Sequence, residues 1–176
     1  MKRKPVVIII VVVCIFAAMI AGFILSFRTH HYSSLDQYLG SAHAIFSDLI
    51  PEDHTDFQGA KSQFLIFGGN QVCGFTLSES AFEEYKAAIN TKAKEDYHDT
   101  YSEYTGVKVS DIDDVNPEEE WDGFHADEFC SNVTDKPISE YEVLFYMPAG
   151  STGGVTNAIF VDEESGRVVV YRGGSN

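Results

Sequence analysis

The feature that most constrains this chain is an uninterrupted apolar run from Val6 to Leu25, which contains no charged residue. A helix rises about 1.5 Å per residue, so about 20 apolar residues cross the hydrocarbon core of a bilayer. A helix also satisfies its own backbone polar groups, as a segment inside lipid must. The run therefore predicts a transmembrane helix over residues 6–27.

The charges on either side of the run predict its orientation. Three basic residues at positions 2–4 precede it, whereas Arg28 is the only Lys or Arg between the run and Lys61. Basic residues next to a membrane span stay on the cytoplasmic side. We therefore expect residues 1–5 to form a cytoplasmic tail and residues 28–176 to be extracytoplasmic.

A cleaved signal peptide is the alternative interpretation of the run. Its apolar region is usually about 7–15 residues long and ends at small residues. This run is longer, the segment 24–26 is a poor cleavage site, and Cys14 lacks the small residue that precedes a lipoprotein cysteine. We favour an uncleaved signal anchor, followed by a linker over residues 28–33 and an α+β domain over residues 34–176.

The part of the chain beyond the anchor is strongly acidic. It contains nine of the 12 Lys and Arg residues and all 27 Asp and Glu residues, which gives a formal charge of −18. Such a surface repels phosphate backbones, so we expect no nucleic acid partner. A basic peptide or a basic protein would be attracted to it.

Two segments have the apolar spacing of amphipathic helices. The first begins at a capping box over residues 34–37 and ends before Pro51, whose ring cannot continue a helix. The second begins at a capping box over residues 80–83 and ends before Gly106. Both need an apolar surface to cover.

Short runs of β-branched and aromatic residues predict strands, and Gly166 suits a tight turn between the last two. These strands are expected over residues 63–67, 72–77, 141–147, 157–161 and 167–171. Residues 52–61 are predicted as a polar loop, residues 107–135 as an irregular acidic excursion and residues 173–176 as a frayed tail. The order predicts an antiparallel sheet of about five strands with two helices packed on one side.

Cys73 and Cys130 lie beyond the anchor, in a compartment where disulfides persist. We expect one disulfide between them, which would stabilise the domain by closing a long loop. Two buried free thiols are the alternative, because Cys packs as a small apolar side chain.

An aromatic stripe is the first candidate for a binding surface. Tyr97, Tyr101 and Tyr104 recur at helical spacing among acidic residues, and Trp121 lies in the acidic excursion. Aromatic rings framed by carboxylates can hold cationic or peptide ligands. The alternative is that the stripe is the core face of its helix.

A group of carboxylates, Asp111, Asp113 and Asp114, is the candidate metal site, since Ca²⁺ prefers several oxygen ligands close together. Val115 and Asn116 stand where a calcium-binding EF-hand needs a ligand and a glycine, so that motif is excluded. A looser Ca²⁺ site is one interpretation, and a solvated acidic loop is the other.

Catalytic motifs are missing from the sequence. It contains no G-x-S-x-G and no phosphate-binding loop followed by a helix and Lys. A zinc site would have to be assembled from distant histidines such as His54, His98 and His125. We therefore favour a non-enzymatic, membrane-anchored module that binds an envelope protein or a basic peptide. The alternatives are a membrane-tethered hydrolase with a metal or thiol site, and a module that responds to cations.

Overall fold

A six-stranded antiparallel sheet forms the centre of the structure, an α+β fold. The computed structural model describes residues 12–20, 28–62, 69–97, 105–112, 129–147 and 154–175. The strands are β1 (Thr29–Tyr32), β2 (Thr55–Ser62), β3 (Gln71–Thr76), β4 (Glu142–Met147), β5 (Gly154–Asp162) and β6 (Arg167–Ser175). The helices are α1 (12–20), α2 (Leu35–Leu39) and α3 (Glu79–Tyr97), with 3-10 turns at Ser47–Leu49, Val109–Asp111 and Ile138–Glu140.

The sheet consists of two three-stranded meanders joined at its centre. Its order is β1-β2-β3-β6-β5-β4, and every neighbouring pair is antiparallel. The β3–β6 pair runs from Gln71 opposite Arg172 to Thr76 opposite Arg167. Residue 167 is therefore fixed at one end of the central pair.

The count of about five strands was too low, because two segments predicted to be irregular are strands. β1 lies in the predicted linker, and β2 occupies most of the predicted polar loop. β2 has few apolar residues, but it pairs with β1 on one side and β3 on the other. Backbone hydrogen bonds on both edges stabilise it without an apolar face. The predicted strand over residues 63–67 lies outside the described residues.

The first predicted helix is much shorter than its apolar spacing indicated. Ser34 caps α2 by accepting a hydrogen bond from the backbone N–H of Gln37, as predicted, but α2 ends at Leu39 and Gly40 follows it. Phe46 then has a positive φ of 53°, which no helix allows. The side chains after α2 still reach the core, which is why the spacing resembled one helix.

The two faces of the sheet are covered differently. α2 and α3 cover one face, which we call the helical face, and α3 buries Phe82, Tyr85, Ile89 and Ala93 against it. The prediction that the helices pack on one side is confirmed. The other face, which we call the loop face, is covered by residues 105–112 and 129–141. Its buried side chains include Ile112, Phe129, Cys130, Val133, Ile138 and Tyr141.

The β5–β6 hairpin matches its prediction and extends beyond it. Gly166 has a φ of +67° in the turn, and Asp162 pairs with Arg167. The register continues to Gly154 opposite Ser175, so most of the predicted frayed tail is paired strand.

α1 differs from the other helices in that its large apolar side chains are exposed, with exposed fractions from 48% at Val12 to 63% at Met19. Within the part of the chain that the structure describes, no helix has both the length and the apolar character needed to cross a membrane.

Candidate functional site

Arg167 is the charged residue that the described part of the fold buries, with only 9% of its surface exposed. It is the first residue of β6, on the loop face of the sheet. The residues that follow it alternate between the two apolar faces, so the strand itself is anchored in the core. Arg167 pairs with Thr76 of β3 on one side and with Asp162 of β5 on the other, so segments from different parts of the chain surround its guanidinium.

The guanidinium is held by neutral oxygens. Nη1 donates to the backbone carbonyl of Asp56 at 2.9 Å and to Oγ1 of Thr76 at 3.3 Å. Nη2 donates to the backbone carbonyl of Val133 at 2.6 Å. Among the described residues, no carboxylate oxygen lies within 4.0 Å of it. Burial lowers the pKa of Arg167, but a guanidinium stays protonated at neutral pH.

The backbone of β2 is distorted where it meets this arginine. The register with β3 shifts between Thr55 and Gln58, and Asp56 has a φ of +49°. A non-glycine residue in this conformation costs about 1–3 kcal/mol, and such outliers and bulges cluster at functional sites. The distortion presents the Asp56 carbonyl to Arg167.

Gly74 makes room for the guanidinium on the neighbouring strand. A Cβ at this position would lie 2.8 Å from Nη2 of Arg167 and 3.1 Å from the carbonyl oxygen of Val133. Glycine in the middle of a strand often marks such a close approach. A side chain at residue 74 would therefore displace the arginine.

A cavity of about 270 Å³ opens beside Arg167, and we call it the Arg167 cavity. It lies between the bulge of β2, the segment after Val133 and the β5–β6 turn. Polar side chains dominate its lining, which includes Asp56, Gln58, Thr134, Asp135 and Ser165. None of the residues that line it is a His or a Cys.

The cavity offers several hydrogen-bonding groups. The three hydrogen bonds of Arg167 use three of five guanidinium N–H groups, which leaves Nε–H and one N–H of Nη2 without a partner among the described residues. The hydroxyls of Thr134 and Ser165 already donate, to the Cys130 carbonyl and the Asp162 carboxylate respectively. Their lone pairs remain as acceptors.

Of the aromatic residues predicted as a binding surface, the structure describes Tyr97. Tyr97 is at the end of α3, and its ring packs edge-on against Phe46, with 6.1 Å between centroids, and at a tilt against Phe145, with 5.6 Å between centroids. At Tyr97, therefore, the predicted aromatic stripe is part of the core face of its helix. Tyr101, Tyr104 and Trp121 lie outside the described residues.

The predicted metal ligands are only partly described. Asp111 is exposed in a 3-10 turn, where its Oδ1 accepts a hydrogen bond from the Ser110 hydroxyl at 2.8 Å. Asp113 and Asp114 lie outside the described residues, so the Ca²⁺ site remains a prediction. The described residues contain no group of three His, Cys, Asp or Glu that could hold a metal ion.

The expected disulfide between Cys73 and Cys130 is not formed. Cys73 lies in the core on the helical face and Cys130 in the core on the loop face, so the sheet separates them. Burial raises the pKa of Cys73 to about 12, which keeps it a protonated, unreactive thiol at neutral pH.

His54 is half-buried, and its Nδ1 donates to the Pro51 carbonyl at 2.6 Å. Its ring packs against Phe57 and Phe75, so it has a structural environment. His98 and His125 lie outside the described residues.

Sequence reasoning missed Arg167, although two signals were present. An arginine opens an otherwise apolar strand, and a glycine interrupts the strand beside it. Comparison of the chain with family models, with curated proteins and with solved structures found no match.

Proposed function

We propose that this protein is a single-pass, membrane-anchored binding module whose extracytoplasmic α+β domain captures a peptide or a protein at the Arg167 cavity. The observation that carries the proposal is the buried guanidinium, which has only neutral partners among the described residues and borders a polar cavity. Buried charges in proteins are normally paired. The carboxylates of Asp56 and Asp135 act on Arg167 from beyond 4.0 Å, and a ligand that brings a negative group would supply a direct pair.

The anchor is proposed from the apolar run over residues 6–25, of which the structure describes α1, a segment too short to cross a membrane by itself. Exposed fractions of 48–63% for large apolar side chains on one helix are unfavourable in water. Burial of these side chains in lipid removes that cost. The basic residues before the run favour a cytoplasmic N-terminus.

Binding is favoured over catalysis by the composition of the cavity. Thiol chemistry needs a Cys near the reacting group, and His is the most frequent general base, although carboxylates also serve. Neither residue lines the cavity, whereas hydrogen-bond donors and acceptors do. The strong negative charge of the domain favours a partner with basic residues.

In-cell crosslinking of tagged full-length protein, followed by identification of the captured partner, tests the proposal. Arg167→Lys keeps the charge but cannot reproduce a planar fork of donors, so capture should fall about tenfold or more. Arg172→Lys is the matched control, because Arg172 lies on β6 at the opposite end of its pairing with β3. Equal capture of one partner by both variants and the wild type would contradict the proposal.

A further inference from the structure

The guanidinium of Arg167 determines which anionic group the ligand would carry. Arg167 lines the Arg167 cavity, and its Nε–H and one Nη2 N–H have no partner among the described residues. A carboxylate has two oxygens that accept from such donors, and charge-assisted bonds of this type are stronger than bonds between neutral groups. A ligand with a carboxylate would use these two donors.

The rest of the cavity determines the remainder of the ligand, because a simple anion would be repelled. Asp56 and Asp135 also line the cavity, in a part of the chain beyond the anchor that has a formal charge of −18. Neither carboxylate has a Lys, Arg or His nitrogen within 4.0 Å among the described residues. The acceptor hydroxyls of Thr134 and Ser165 add to this preference for a cation.

The size of the cavity limits how much of the ligand it can hold. About 270 Å³ is slightly less than the roughly 300 Å³ at which pockets for drug-sized ligands begin. The volume suits one or two amino acid residues. An α-carboxylate and a cationic side chain on the same residue fit both the charge pattern and this volume.

We infer that the Arg167 cavity binds a basic amino acid residue with a free α-carboxylate, which pairs with Arg167 while its cationic side chain pairs with Asp56 and Asp135. This ligand class rests on the proposed function, since it specifies what the same cavity captures. The residue has two sources, the C-terminus of a peptide or protein and the free amino acid.

Calorimetric titration of full-length protein in detergent micelles tests the ligand class. The probes are Ala-Ala-Lys, its C-terminal amide, Ala-Ala-Leu, free lysine and acetate. We expect Ala-Ala-Lys to bind, and the amide and Ala-Ala-Leu each to bind about tenfold more weakly or worse, because each lacks one charged group. Tighter binding of Ala-Ala-Lys than of lysine identifies a peptide C-terminus as the source, and similar binding identifies the free amino acid.

A double variant, Asp56→Asn with Asp135→Asn, keeps the test independent of folding. Both side chains are exposed, and Asn tolerates the positive φ at residue 56. The variant should lose the preference for Ala-Ala-Lys over Ala-Ala-Leu while its melting temperature stays near that of the wild type. Arg167→Lys should lose the preference for the free acid over the amide.

The ligand class and the proposed function fail in different ways. Equal binding of the acid and the amide, or no binding of any probe, would overturn the ligand class. If Arg167-dependent capture of a partner persisted in cells, the proposed function would still stand. If capture of the partner did not depend on Arg167, both the ligand class and the proposed function would be overturned.

Discussion

At the scale of single residues, positions with unusual backbone or burial define the candidate site. Asp56 adopts a positive φ, Gly74 leaves space, and Arg167 occupies that space with neutral partners. Each feature depends on segments far apart in the chain. No local pattern of the sequence therefore predicts the set.

A comparison of Gly166 with Gly106 distinguishes the cost of backbone strain from the cost of a steric clash. Both have a positive φ, but a Cβ at Gly166 would lie 2.4 Å from the carbonyl oxygen of Leu77, whereas one at Gly106 would meet nothing within 4 Å. Gly106→Ala should cost about 1 kcal/mol in unfolding free energy. Gly166→Ala should cost at least about 2 kcal/mol, because overpacking adds to the strain.

Urea unfolding of the full-length chain in detergent, followed by the near-UV circular dichroism of the domain, measures both costs. Equal losses for the two variants would mean that the turn of the β5–β6 hairpin does not pack against Leu77 as described.

At the scale of elements, the sequence predicted helices and hairpins where the local signals are strong. α3 begins at Glu79, so the predicted capping residue Ser80 lies inside the helix. The β5–β6 hairpin begins within three residues of its predicted position because turn glycines act locally. β2 was missed because its stability comes from neighbours on both sides rather than from its own side chains. The first helix was predicted too long because apolar spacing alone does not distinguish a helix from a turn-rich segment that buries the same residues.

The ion pair between Asp162 and Lys136 joins the end of β5 to the segment on the loop face, with 3.0 Å between Oδ2 and Nζ. Desolvation raises the pKa of Asp162, but hydrogen bonds from Ser165 and Lys136 outweigh it and lower the pKa below its ordinary value. A carboxyl group with a lowered pKa in the folded state stabilises the fold above its unfolded value of about 3.9 and loses that effect as the pH falls.

Asp162→Asn should therefore be less stable than the wild type at pH 7, and the difference should shrink as the pH falls below about 4. Melting temperatures of the two proteins between pH 3 and pH 7 measure it. A difference that grew or stayed constant toward pH 3 would show that the carboxylate does not stabilise this contact.

At the scale of the whole molecule, the α+β class and the placement of helices on one side were predictable. Hydrophobic periodicity shows which faces of the helices and strands must be buried, and short turns between strands imply antiparallel pairing. The cavity was not predictable, because it forms where β2, β6 and the segment after Val133 meet. The contact of these segments depends on the order of the strands in the sheet, and the sequence alone does not specify that order.

The proposed orientation predicts which part of the chain is accessible in intact cells. A protease added outside should degrade the domain after residue 28, while a tag fused before Met1 stays protected until the membrane is permeabilised. Immunoblots with antibodies to each end measure this. Protection of the domain in intact cells, with digestion only after permeabilisation, would contradict an extracytoplasmic location.

Site-specific photo-crosslinking in cells tests the central claim most directly. A photoreactive amino acid at Gln58, an exposed residue that lines the Arg167 cavity, is compared with the same amino acid at Gln37, an exposed residue on α2. We expect a partner crosslinked through residue 58 and not through residue 37, and Arg167→Lys should remove the crosslink. A partner captured through residue 37 alone, or an Arg167-independent crosslink at residue 58, would contradict the assignment of the cavity as the binding site.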